Sequence, residues 1–205
     1  MLNSMSDWSP GPRQLEALAL TQGGYFDRAD ALAHGLSDQT LHHHVRSRRF
    51  ERIYPGVYRV KIAPVAQDDE LLLALVWPNH RGAISHESAL ALYGLSDVMP
   101  GRVHLTVPPD FRRRPPPTYV LHWSRLADDD LTERQGIRVT TPARTVVDAA
   151  GGGTDPEQIR KAVQQAVDRA LATPEQLRAE AARPGYRHRR AVLPLMEAAL
   201  ARAAA

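Results

Sequence analysis

The stretch DRADALAHGLSDQTLHHHVRSRRFERIYPGVYRVK, residues 27–61, decides the fold. Asp27 is a good N-cap for a short helix from Arg28 to His34, with Ala29, Leu32 and Ala33 on one face and Gly35 as its breaker. Leu36 then points inward, and Ser37 caps a third segment, Asp38 to Arg49, so a short turn containing glycine joins two helices. After Phe50 the period changes to two, and Pro55-Gly56 suits the centre of a type II turn, which predicts a hairpin. Upstream, Pro12 to Thr21 carries Leu15, Leu18 and Ala19 at helical spacing and stops at Gly23-Gly24. Three helices and a basic hairpin in this order predict a winged helix-turn-helix over residues 1–61.

The third helix can be read by its angles. With Leu41 and Val45 facing the core, the 100° step per residue puts Gln39, His43, Arg46 and Ser47 outward, flanked by Thr40, His42 and Arg49. Glutamine can pair with adenine and arginine with guanine in the major groove, which makes Gln39, His43 and Arg46 the readout candidates. Arg48 and Arg49 at the helix end, and Arg52 and Arg59 on the hairpin, are placed to meet phosphates. The run His42 to His44 is not a metal site, because consecutive helical positions diverge by 100°.

Charge agrees with this reading. From Gln39 to Lys61 there are six basic residues (Arg46, Arg48, Arg49, Arg52, Arg59 and Lys61) against Glu51 alone, in a chain of net charge +3. Residues 62–150 balance at nine basic against eleven acidic. A basic segment inside a nearly neutral chain suggests a polyanion-binding surface, since releasing counterions from DNA supplies much of the affinity. No stretch approaches the roughly 18 apolar residues of a membrane span. Met1 to Gly11 does not read as a secretory signal, and the absence of cysteine excludes disulfides and thiolate metal sites; a cytoplasmic protein fits best.

The remaining residues, 62–205, predict a mixed α/β domain, so the fold class is α+β. An acidic start at Asp68-Asp69-Glu70 opens a helix to Trp77, and Ser85 caps another that ends at Gly94. Strands are expected at Val103–Val107, Tyr119–Trp123 and Gly136–Val139, the first two separated by the proline- and arginine-rich link 108–117. Thr141-Pro142, Asp155-Pro156 and Thr173-Pro174 each start a helix with a capping side chain and proline at its first position. A last helix spans about Arg189 to Ala201. The Gly151-Gly152-Gly153 break is expected to separate the core from an alanine-rich helical tail, from about residue 154, that wraps its own domain or mediates dimerisation.

Several runs resemble a known family. Gly24-Tyr25-Phe26, Ala33-His34-Gly35-Leu36-Ser37 and Ile53-Tyr54-Pro55-Gly56-Val57-Tyr58 are similar to the N-terminal module of AbiEi antitoxins of type IV toxin–antitoxin systems. Ile84-Ser85-His86-Glu87-Ser88-Ala89-Leu90, Tyr93-Gly94-Leu95 and Thr141-Pro142-Ala143-Arg144-Thr145-Val146-Val147-Asp148 resemble motifs of its second domain. The resemblance implies an autorepressor that binds inverted repeats in its own promoter, as a homodimer if it matches their symmetry. It also implies a C-terminal domain that counters a nucleotidyltransferase-like toxin, with direct contact left open. The alternative is a standalone winged-helix regulator with a C-terminal dimerisation or sensor domain.

No catalytic, cofactor-binding or metal-ligating residue is expected. A Vsr-like nuclease would need an acidic residue followed by Asp/Glu-x-Lys, but Lys61 lies in the linker, and Lys161, four residues after Glu157, reads as its surface ion-pair partner. Asp128-Asp129-Asp130 reads as a turn cap. His86, His104 and His122 are read as separate structural histidines, because sequence alone does not bring them together.

Overall fold

The computed structural model describes residues 10–183, 186 and 188–203. Its contacts divide the chain into two compact units, residues 1–81 and 82–205. The boundary expected after Lys61 therefore lies at Arg81–Gly82.

In the first unit, α1 (Pro10–Thr21), α2 (Arg28–Ala33) and α3 (Asp38–Arg46) pack on an antiparallel sheet of β1 (Tyr25–Asp27), β3 (Val57–Val60) and β2 (Phe50–Tyr54), in that order. Asp27 forms a reciprocal capping box with Asp30, and Ser37 Oγ accepts the Thr40 N–H, so both caps act as the sequence implies. The buried side of α2 is Ala31, with Ala29, Leu32 and Ala33 exposed, a rotation from the expected face. Gly56 at φ 74° closes the β2–β3 turn. Leu15, Phe26, Leu36, Leu41, Phe50 and Tyr58 form the core, where Phe26 meets Phe50 edge-on at 4.9 Å and stacks on Tyr58 at 5.5 Å. Strand β1, which period-two analysis misses, pairs with β3 from Tyr25↔Arg59 to Asp27↔Val57.

A fourth helix, α4 (Asp69–Val76), belongs to this unit. Tyr25 donates its hydroxyl to Asp69 Oδ2 at 2.5 Å, and a Cβ on Gly23 would lie 2.7 Å from Leu72 Cδ1. These contacts tie α4 to the end of α1 and to β1. That is why the domain edge falls after α4 and not before it.

The second unit is built on a mixed sheet, ordered β6-β5-β4-β8-β7, from β4 (Ala83–Ile84), β5 (Val103–Val107), β6 (Tyr119–Trp123), β7 (Leu131–Arg134) and β8 (Ile137–Thr140). Strands β5 and β6 are parallel, Val103↔Tyr119 through Val107↔Trp123. A parallel pair cannot be joined by a tight hairpin, which gives the proline-rich link a topological task as the crossover. Helices α5 (His86–Tyr93) and α6 (Pro142–Gly152) pack together, and α7 (Pro156–Asp168), α8 (Pro174–Ala182) and α9 (Arg189–Ala203) pack on α6 and on one another. The tail thus covers its own unit. The glycines do not separate it, because α6 runs through Gly151 and Gly152 and ends at Gly153, φ 91°.

Three local expectations change. Ser85 and Thr141 occupy N-cap positions, but neither side chain makes a capping bond; their hydrogen-bonding roles are met elsewhere or by backbone. Lys161 pairs with Asp97 and Glu157 with Arg160, so the expected Glu157–Lys161 pair is not formed. Asp130 does cap its turn, Asp128–Asp130, accepting the Ala127 N–H at 2.8 Å.

Candidate functional site

The exposure of the α3 side chains follows the helical spacing, and the arrangement beyond the helix differs. Gln39, His42, His43 and Arg46 are exposed, Thr40 is half-buried with its hydroxyl 2.9 Å from Ser37 Oγ, and Leu41 and His44 are buried. The helix ends at Arg46 and not at Arg49, because Arg48 turns into the left-handed region (φ 61°) and the Arg49 N–H bonds back to the His44 carbonyl at 3.0 Å. This turn lets Phe50 enter the core as the first residue of β2.

The basic residues separate into two groups. Arg49 Nε donates to Glu16 at 2.7 Å, and Arg59 donates to the Ala63 and Pro64 carbonyls with its guanidinium 5.6 Å from the Tyr25 ring centre. These two hold the unit together. Arg46, Arg48 and Arg52 are exposed and have no carboxylate partner among the described residues, so α3, its C-terminal turn and β2 present a cluster of uncompensated positive charge. Arg28 holds Asp38 through both oxygens, at 2.7 and 2.5 Å, linking the starts of α2 and α3; this hydrogen-bonded charge keeps the Asp38 carboxyl below its ordinary range.

In the second unit the three histidines converge. His86 stacks on His122 with ring centres 3.4 Å apart, and His122 Nε2 lies 3.2 Å from His104 Nδ1. His86 Nδ1 is 2.9 Å from Ser85 Oγ, which also accepts the Thr106 hydroxyl at 2.8 Å. Burial, followed by the neighbouring His122, His104 and Arg144, holds His86 well below its ordinary range and therefore neutral. His86 and His122 border a cavity of about 560 Å³ whose wall includes Arg144 and Asp148. Arg144 is almost fully buried; its Nε donates to Asp148 at 2.7 Å, and its Nη1 lies 3.4 Å from Asp130 and 3.5 Å from Glu180. Burial raises the Asp148 carboxyl to about 6 although Arg144 opposes the shift.

Comparisons with known proteins bear on this arrangement. Residues 13–61 match the family described as a transcriptional regulator, AbiEi antitoxin, and residues 82–198 match the AbiEi antitoxin C-terminal domain. The chain belongs to the AbiEi antitoxin family. The family is one of antitoxins with a transcriptional-regulator domain and is not an enzyme family. Among solved structures, the RV2827C protein from Mycobacterium tuberculosis shares the fold at a TM-score of 0.55 and 17% identity, over 93% of this chain and 80% of that one. No curated protein matches this sequence.

In this AbiEi chain the two motif runs of the second domain meet in one place, His86 from the first and Arg144 and Asp148 from the second. The sequence missed further lining residues, among them Ser124 and Arg125 after β6 and Tyr186 and His188 before α9, which lie far from both motif runs in the chain. A signal was present in Gly151-Gly152. Glycine inside a helix is about 1 kcal/mol worse than alanine, but a Cβ at Gly151 would lie 2.3 Å from the Tyr186 hydroxyl oxygen, and one at Gly152 would lie 2.9 Å from His86 Cδ2. No described helix is long and apolar enough to cross a membrane.

A second cluster joins Asp27, Asp30 and His80 in the first unit, the ligand-type atoms of which lie within 4.8 Å of one another. Asp30 Oδ2 accepts the Asp27 N–H at 2.9 Å and lies 3.1 Å from His80 Nε2. The bond to Asp30 raises the His80 pKa against the opposing effect of burial. A group with a raised folded pKa stabilises fully below its unfolded value and loses that contribution as pH rises through the folded one. His80→Ala should therefore cost up to about 1 kcal/mol near pH 5.5 and close to nothing near pH 9, read from urea unfolding at both. Equal loss at the two pH values would show that packing, and not charge, is what His80 supplies.

Proposed function

We propose that this antitoxin represses its own operon by docking the winged helix on inverted repeats in its promoter, and that it counters a nucleotidyltransferase-like toxin. The observation that carries the DNA half is the set of exposed, uncompensated arginines, Arg46, Arg48 and Arg52, around α3 and the wing. In this reading Gln39, His43 and Arg46 read base edges, His42 and Thr40 flank them, and Arg48 and Arg52 contact phosphates. Arg49 and Arg59 shape the surface from within. The protein acts on duplex DNA as a homodimer where the operator is symmetric.

A gel-shift titration against the upstream region and a random duplex, at two salt concentrations, tests this. Arg46→Ala should reduce the preference for the promoter by about tenfold, or about 1.4 kcal/mol, within the range of roughly 1–3 kcal/mol for a base contact. Arg52→Ala should weaken both duplexes alike and shallow the salt dependence by about one unit. A folded wild type that shows no promoter preference would end the autorepressor reading. Rescue of growth on co-expression with the toxin tests the other half; retained promoter binding without rescue would leave a standalone regulator.

A further inference from the structure

The cavity of the second unit falls in the size range of small-molecule sites, roughly 300–1,000 Å³, at about 560 Å³. Asp148 is the one carboxylate among its described lining residues, and Arg144 already holds it at 2.7 Å. Three carboxylates, Asp130, Asp148 and Glu180, lie around Arg144 and Arg183 and offset their charge. Arg125 is different: it lines the same cavity, is exposed, and has no acidic partner among the described residues. Buried His86 lines the same cavity, and the side chains that add to burial in lowering its pKa are all basic. An entering anion would thus meet one uncommitted guanidinium, with the His86 and His122 rings in the same lining.

The end of β6 supplies further components. The contiguous residues His122, Trp123, Ser124 and Arg125 all line the cavity, giving a ring, a hydroxyl and a cation within one short run. Trp123 is 52% exposed although large and apolar. Its indole N–H donates to the Phe111 carbonyl at 3.1 Å, which fixes the ring while leaving a face available for stacking. Gly151 and Gly152, also in the lining, let Tyr186 and His86 approach α6 closely, since a Cβ at either glycine would meet them at 2.3 and 2.9 Å.

We propose that this cavity binds a nucleoside monophosphate, with the phosphate held by Arg125, Ser124 and the His86–His122 pair and the base stacked on Trp123. Arginine and hydroxyl donors suit a phosphate, and aromatic stacking accepts any base. The source is either a free nucleotide or the 5′-phosphorylated end of an RNA strand. This binding is independent of the operator reading, because it uses none of the residues assigned to duplex DNA.

The test is calorimetric titration of the full chain with AMP, adenosine, inorganic phosphate, and a tetranucleotide with or without a 5′-phosphate. AMP or the phosphorylated tetranucleotide should bind, and the form lacking phosphate should bind at least about tenfold more weakly. Arg125→Ala should weaken the phosphorylated ligand by about tenfold, and Trp123→Ala should do so without weakening inorganic phosphate. Both side chains are exposed, so unchanged melting temperature and unchanged promoter binding would confirm folded variants. Binding of the tetranucleotide without AMP assigns a strand end, and binding of AMP assigns the free nucleotide. Failure of both, equal binding of adenosine and AMP, or indifference to both substitutions would overturn the proposal.

Discussion

Arg144→Ala should destabilise the second unit by roughly 3–5 kcal/mol, the usual effect of removing one partner from a buried charge network. The guanidinium is 5% exposed and touches Asp130 and Asp148, which are 3% and 5% exposed, as well as Glu180. Without it, among the described residues only Arg183 would remain to offset these acids, and it reaches Asp130 and Glu180. The loss should depend on pH. Asp148 already has its pKa raised to about 6 by burial. An acid with a raised folded pKa favours the folded state below its unfolded value and loses that contribution as pH rises through the folded one. Removing Arg144 raises Asp148 further, so the variant should be least impaired near pH 4 and most impaired above about pH 7. Urea unfolding followed by circular dichroism at both pH values measures this. A loss under about 1 kcal/mol at pH 7 would mean that the network relaxes to solvent.

The helix-turn-helix was legible because its signals are local. Asp27, Ser37 and Pro55-Gly56 each fix a boundary through a bond or a backbone angle to a near neighbour. The end of α3 was not legible, since no glycine follows it and Arg48 itself takes the left-handed turn. That conformation is disfavoured locally and is maintained by Phe50 in the core. Strands β1 and β4, of three and two residues, are too short to show a period. The assignment of α4 was decided by Tyr25 and Leu72, a relation no linear pattern contains.

The histidine cluster illustrates the larger limit. His104 and His122 come together because β5 and β6 run parallel in one register, set by the crossover 108–118 between them, while His86 arrives from the start of α5. Their spacing in the chain carries no such information. The family motifs marked His86, Arg144 and Asp148 as important, but only the fold shows that they border one cavity.

The triple variant Arg46→Ala/Arg48→Ala/Arg52→Ala should lower promoter affinity by roughly a hundredfold or more and shallow its salt dependence by about two to three units. Each arginine is exposed and has no carboxylate partner among the described residues, so its charge is available to DNA without breaking any such pair. The variant should also melt at the wild-type temperature, since surface changes of this kind usually stay within about 0.5 kcal/mol. Arg49→Ala/Arg59→Ala makes the informative contrast. These side chains bind Glu16, two carbonyls and the Tyr25 ring, so their removal should lower stability and affect DNA only through the shape of the surface. Sequence alone places all five arginines in one basic run, and the structure divides them by their partners. If the two variants lost DNA affinity and salt dependence equally with no difference in melting, that division would be wrong, and net charge alone would account for binding.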